Sequence, residues 1–315
     1  MLNKKYLPSV IVLYINYFLH GIGCSILGQA LIKESLAASW NVEVMAITAI
    51  SAALGLGRLI ALPFAGPLSD KLGRKISVII GGVSYAIYVI GLACAYNAGG
   101  GAGYKIAYIC AIVGGIANSF LDTGIYPAVA EIINKAPSVA TMGIKFFIAI
   151  SQMLLPFFLG ATVVTTATGA TSYNRLFYIV GILYIVMMAF IIFLPMPDSD
   201  NKAAAEKKTG LIESLKSTKF SAGSIAMILI GWAGAGGLLQ IATSVCNMLF
   251  PKIKGTVTAL VMIASSLCNY TILTAAAQMS ASGVMMMNIV LTAVGVLLGL
   301  FVNKNYAKML ENAEN

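Results

Sequence analysis

Four ionisable side chains lie inside long apolar runs of this sequence: His20, Arg58, Asp122 and Lys145. A charge at the centre of a hydrocarbon layer costs at least about 2.5 kcal/mol, so each needs a reason to be there. Asp122 and Lys145 stand about equally far from a turn near Asn134, which places them at matching depth on two antiparallel helices. Pairing would offset much of their desolvation, either as a structural salt bridge or as a pair that opens when a proton or substrate binds. His20 titrates in the range suited to proton coupling, although a lone histidine in an apolar helix is more often a hydrogen-bonded packing residue. Arg58 reads better as a side chain snorkelling toward the cytoplasmic face than as a substrate ligand.

Uncharged polar residues extend these positions into stripes. Asn118, Asp122 and Tyr126 follow i, i+4, i+8 spacing; Asn16 and His20 form a similar stripe with Gln29 further along; Lys145 and Gln152 are seven apart. Stripes of this kind normally point into a bundle or a cavity. Taken singly, Asn16, Asn118 and Gln152 read equally well as interhelical hydrogen-bonding groups.

A second chemistry is offered by "GPLSDKLGRK" at 66–75, an acid and three bases framed by glycines in a chain that is only 10% charged. Gly66 would let two helices approach closely, and Gly73 permits a sharp turn. The cytoplasmic excess of basic residues in membrane proteins accounts for Lys71, Arg74 and Lys75. It does not account for Asp70. An acid held there could meet the positive end of a neighbouring helix, or a basic side chain.

No pattern for bond-making chemistry accompanies them. His-Glu-x-x-His, Gly-x-Ser-x-Gly, a phosphate-binding loop and paired carboxylates are all missing from the sequence, which argues against a membrane-embedded enzyme and a self-contained primary pump. The five cysteines (Cys24, Cys94, Cys110, Cys246, Cys268) fall in apolar segments without a Cys-x-x-Cys pair or a Cys/His cluster. Neither disulfides, a metal site nor a cofactor is expected. Fifteen methionines and 31 glycines are explained by gap-filling and close helix contact.

The elements that must position these residues follow from composition. The chain is 59% hydrophobic over 315 residues, with a mean hydropathy of +0.90. A soluble domain carries about 25% charged residues, so only a multi-spanning helical membrane protein fits. Two lysines ahead of the first apolar run superficially resemble a signal peptide, but the run is too long and lacks a small-residue cleavage site. Nine spans are expected, at 8–32, 43–65, 76–96, 106–132, 139–164, 174–195, 220–250, 255–277 and 283–302. The polar stretch 197–219 separates a six-helix bundle over 1–196 from a shortened helical half over 220–315.

Through the first six spans the basic residues sort by side. With the N-terminus in the cytoplasm, Lys4, Lys5, Lys71, Arg74, Lys75, Lys135, Lys202, Lys207, Lys208, Lys216 and Lys219 fall inside, against Lys33, Lys105 and Arg175 outside. That asymmetry fixes the orientation in a cell membrane, and it accounts for the net charge of +9 without a nucleic-acid partner. The tail breaks the rule. If 220–250 crosses once, Lys252 and Lys254 land outside, as do Lys304 and Lys308; the cluster "GWAGAGG" at 231–237 offers a re-entrant hairpin instead, and both readings stand.

Gly66, Asp70, Lys71, Gly73, Arg74 and Lys75 match all six positions of a signature that resembles the loop between spans 2 and 3 of the major facilitator superfamily, in the loop where that family carries it. The resemblance implies secondary transporters of twelve helices in two six-helix halves. It implies that Asp70 and Arg74 help latch the cytoplasmic ends of the halves in the outward-open state, with Glu131 a partner for Arg74, and that the first, fourth and fifth helices line the central cavity. It covers residues 1 to about 196 as one half. The lysine turn near 252 and the helices after it resemble spans 10 to 12, so about three helices would be missing.

The fold expected is therefore an all-α integral membrane protein, with a complete six-helix bundle plus about three further hydrophobic helices. The expected function is secondary active transport of a small solute, an organic anion or a sugar, with protons as a candidate co-substrate. Span 5 lacks the Gly-Pro-x-x-Gly-Gly pattern of drug–proton antiporters, "LLPFFLGA" being the nearest run. The alternative is a truncated, non-transporting derivative of such a transporter; a homodimer would complete its cavity, though no sequence feature demands one.

Overall fold

A computed structural model describes residues 4–165, 171–197, 243, 245–246, 249–250, 253–277 and 281–314. After a 3₁₀ turn at Lys4–Tyr6 come α1 (Leu7–Ile26), α2 (Ala30–Trp40), α3 (Val44–Leu72), α4 (Arg74–Ala98), α5 (Gly100–Ile132) and α6 (Pro137–Thr162). A two-residue antiparallel pair, β1 (Val164–Thr165) with β2 (Thr171–Ser172), leads into α7 (Asn174–Phe193). The tail supplies α8 (Lys254–Ala277) and α9 (Ala281–Glu314). Among the described residues six helices, α1 and α3 to α7, are long and apolar enough to cross a membrane.

Those six overlap the first six expected spans, and α8 and α9 overlap the last two. The expected span 220–250, its "GWAGAGG" hairpin and the linker 197–219 fall almost wholly outside the described residues. Two details differ from the expectation. Span 1 does not run to residue 32: α1 stops at Ile26, and Gln29 takes an extended backbone (ψ 131°) as the N-cap of α2. Residues 33–42, the gap between the first two expected spans, are mostly the helix α2, which closes on Asn41 in a left-handed conformation (φ 53°). Gly28, a weak helix former, and the exchange of the α1 ladder for the bonds Gly28 N–Ser25 O and Gln29 N–Ile26 O mark the break.

The described chain groups into two units. One comprises Met1–Ala61, Val78–Leu121 and Gly143–Met196; the other comprises Leu62–Ser77, Asp122–Met142 and Pro197–Asn315. In the first, helices cross closely wherever glycine removes a side chain: Gly57 and Gly115 bring α3 and α5 together at the Ile112 and Leu54 carbonyls, and Gly21 sets α1 against Ser151 and Ile148 of α6. Trp40 Nε1 donates to Ala95 O at 2.9 Å, Ser39 Oγ to Tyr96 O at 2.8 Å and Ser35 Oγ to Thr171 O at 2.8 Å, which ties α2 down at its middle and its C-terminal end. At the opposite end of α1, Ser9 Oγ donates to the carbonyl of Pro195. An aromatic core of Tyr17, Tyr85, Tyr88 and Tyr184 fills the space between α1, α4 and α7.

Candidate functional site: an ionic latch and a polar path

The second unit is organised around one carboxylate. Leu72 ends α3, Gly73 turns the chain with φ 97°, a left-handed conformation that favours glycine, and Arg74 opens α4. Asp70 and Arg74 thereby meet across the corner: Arg74 Nη1 donates to Asp70 Oδ1 at 2.7 Å and to Ser69 Oγ at 3.1 Å. Ser69 Oγ in turn donates to Thr123 O of α5 at 2.9 Å. The other guanidinium arm, Nη2, donates to Glu131 Oε1 near the end of α5 at 3.2 Å.

Asp70 also caps a helix far along the chain. Its Oδ1 accepts the N–H of Gly255 at 2.8 Å, and its Oδ2 accepts the N–H of Thr256 at 2.7 Å and the Thr256 hydroxyl at 2.8 Å. The first N–H groups of a helix have no partner within it and carry its positive end, so a carboxylate there is stabilising on both counts. Lys254 Nζ completes the group 3.6 Å from Glu131 Oε1. The sequence offered Asp70 two partners as alternatives, a helix end or a base. The structure gives it both.

Burial makes this cluster demanding. Arg74 is fully buried and Asp70 only 4% exposed. Charges out of water are tolerable when paired and hydrogen-bonded in good geometry, and Asp70, Arg74, Glu131 and Lys254 sum to zero. Backbones must also come close: a Cβ on Gly66 would lie 2.7 Å from Gly255 O and Ala259 Cβ, and one on Gly255 would lie 2.8 Å from Asp70 Oδ1, Arg74 Nη1 and Gly66 O. Lys71 is exposed and Lys75 half-buried, so of the six signature positions Gly66, Asp70, Gly73 and Arg74 build the cluster.

The polar stripes lie on α1, α5 and α6. Asn16 is fully buried on α1, and among the described residues neither of its amide atoms has a hydrogen-bond partner. Asn118 Oδ1 on α5 is in the same condition. Asp122 and Tyr126 continue the Asn118 face of α5, both buried. Lys145 is half-buried on α6, while Gln152 is exposed and donates to Ser25 Oγ at 2.7 Å. Gln29, half-buried at the start of α2, does not share the helix that carries Asn16 and His20. Arg58 is half-buried on α3, its carbonyl accepting from Ser119 Oγ at 3.1 Å. His20 is buried, with its Nε2 3.0 Å from Cys24 Sγ. The i, i+4 spacing of His20 and Cys24 puts both on one face of α1.

A family model described as the Major Facilitator Superfamily matches residues 13–304. The chain belongs to that superfamily. Among curated relatives, it is 36% identical over 155 residues to the inner membrane transport protein YdiM of Escherichia coli (strain K12), covering 49% of this chain and 36% of the relative. It is 29% identical over 220 residues to the uncharacterized MFS-type transporter YfkL of Bacillus subtilis (strain 168), covering 70% of this chain and 52% of the relative. The chain thus matches about a third to a half of the length of these relatives. Among solved structures, the proton:xylose symporter XylE bound to 6-bromo-6-deoxy-D-glucose aligns with a TM-score of 0.71 at 14% identity, covering 96% of each chain. The E. coli fucose:proton symporter FucP aligns with a TM-score of 0.65 at 11% identity, covering 95% of this chain and 99% of that one.

In this major facilitator superfamily member, sequence reasoning missed Ser69, Lys254, Gly255 and Thr256 of the cluster. A signal for the last three was present: "KIKGTV" sets a lysine turn, a glycine and a threonine just ahead of an apolar run, the pattern of a helix start.

Proposed function

We propose that this chain carries a small solute across the membrane by alternating access, with the contact between Asp70 and the start of α8 as the cytoplasmic latch of its outward-open state. The observation that carries the reading is the capping of Gly255 and Thr256 by a carboxylate 185 and 186 residues earlier in the chain, itself bonded to Arg74. A cap of this kind is strong when closed and is lost as a unit, because its hydrogen bonds share one acceptor group. In this reading Gly66–Lys75 and the N-terminus face the cytoplasm of a cell membrane, in line with the distribution of lysines and arginines.

The solute path runs along the polar faces of α1, α5 and α6. Support comes from Asn16 and Asn118, whose unmet hydrogen-bonding capacity in an apolar interior suits a passing polar ligand or water. Lys145 and His20 favour an organic anion; the names of the structural neighbours, symporters of xylose and fucose with protons, favour a sugar and a proton as co-substrate. Uptake into proteoliposomes, with candidate anions and sugars and with or without a pH gradient, separates these. Asp122→Asn and Lys145→Ala are each expected to lower uptake more than roughly tenfold, the scale of an essential buried polar contact. Full uptake in both variants would remove the path from α5 and α6. No uptake of any panel solute above empty liposomes would favour the non-transporting alternative.

A further inference from the structure

The chain's single histidine stands beside a nucleophile. His20 Nε2 lies 3.0 Å from Cys24 Sγ. The imidazole is only 6% exposed and is wedged between the rings of Tyr17 and Tyr85, at centroid distances of 5.0 and 5.1 Å. The Tyr85 hydroxyl donates to His20 O at 3.2 Å and lies 3.8 Å from Cys24 Sγ. These contacts fix the ring. Cys24, by contrast, is exposed.

What Cys24 is exposed to follows from its neighbours. It lies two residues short of the end of α1, and Ser25 beside it accepts a hydrogen bond from Gln152, a pair at the surface of the molecule. An amide and a hydroxyl held together at a helix surface belong where the bundle meets water, since hydrocarbon penalises both. The end of a helix carries partial negative charge, which disfavours a thiolate. Activation of this thiol must come from the base instead, and a fixed imidazole at hydrogen-bond distance is the arrangement that provides it.

We propose that Cys24 is a modification site for small water-soluble electrophiles, with His20 as its general base. With an activated alkene, Cys24 Sγ forms a bond to one alkene carbon as the π bond breaks. The thiol proton passes to His20 Nε2 and is returned to the adjacent carbon, so that neither partner is oxidised or reduced. Cys94 is an internal comparison: it is also exposed, but it sits nine residues along α4 from Tyr85, without an imidazole. An adduct on Cys24 would press on Tyr85, whose ring already fills the space beside Gly23.

The site rests on the geometry of α1 and α4, not on the transport reading, and the test keeps them apart. Purified protein is treated with N-ethylmaleimide at neutral pH, quenched at intervals, digested, and alkylation at Cys24 and Cys94 followed by mass spectrometry. General bases contribute about 10²–10⁴-fold, so Cys24 should react at least roughly tenfold faster than Cys94. His20→Gln and His20→Asn should each bring Cys24 close to the Cys94 rate, with the Cys94 rate itself unchanged, which also shows that the bundle is intact. Equal rates at the two cysteines in the unsubstituted protein would overturn the proposal, whatever the variants do. So would a Cys24 rate that survives loss of the imidazole in a folded variant.

Discussion

Asp70 Oδ1 serves two donors at once, Arg74 Nη1 at 2.7 Å and Gly255 N at 2.8 Å. An amide in its place would present an NH₂ group or a neutral oxygen to donors that all need an acceptor. Arg74 would keep Glu131 but lose the ion pair that offsets its burial. Breaking a buried pair from one side costs about 3–5 kcal/mol, so Asp70→Asn should destabilise by about 3 kcal/mol, read as a lowered thermal midpoint in detergent. Glu131→Gln should cost less, about 1 kcal/mol, because its side chain is 13% exposed and Arg74 keeps its shorter bond to Asp70. Equal losses in the two variants would show that the guanidinium, not the carboxylate of Asp70, organises the cluster.

Between elements, the requirement is room. Gly66 on α3 and Gly255 on α8 leave no space for a methyl group on either side of the contact, and the groups in the way are backbone and the ionic cluster itself. Gly255→Ala and Gly66→Ala should each destabilise by about 1–3 kcal/mol, the cost of overpacking. Gly160→Ala, where an added Cβ meets nothing within 4 Å, should be neutral or stabilising by up to about 1 kcal/mol, since alanine is the better helix former. Thermal unfolding of the three variants side by side reads the contrast. These contacts also mark the limit of what could be read in advance. The six spans were legible because each needs some twenty apolar residues in a row, and Asp70, Gly73 and Arg74 because their spacing around one corner is local. The break at Leu27–Gly28–Gln29 was not legible, because average hydropathy stays high through a single turn that leaves the helix. The partnership with Gly255 and Thr256 was not legible either: it spans 185 residues, and nothing local in "GPLSDKLGRK" states which helix end will arrive. Cys24 escaped because the cysteines were weighed by sequence clustering, and not by helical pitch against His20.

For the molecule as a whole, the proposed latch bears on sidedness. Lys254 is within reach of Glu131 and directly precedes the residues that Asp70 caps, so α8 begins on the face that holds Gly66–Lys75. In the proposed reading Lys254 therefore lies with Gly66–Lys75 and the other basic residues of that face, which favours the re-entrant reading of 220–250 over a single crossing. In a cysteine-depleted background, Lys71→Cys and Lys254→Cys should react with an impermeant maleimide from one side of sealed vesicles, and Lys105→Cys and Arg175→Cys from the other. Labelling of Lys254→Cys together with Lys105→Cys would restore the single crossing. If α8 parts from this cluster, as the proposed transport cycle requires, Lys254 and the positive helix end go with it, and the surface left behind holds Asp70, Arg74 and Glu131, a net of one negative charge. Opposite unit charges then face each other across water, where dissolved ions screen them beyond about 8 Å at physiological ionic strength. Added salt should accordingly slow the return of the two surfaces, an encounter steered from a distance, while leaving their parting, which begins in the buried contact, almost untouched.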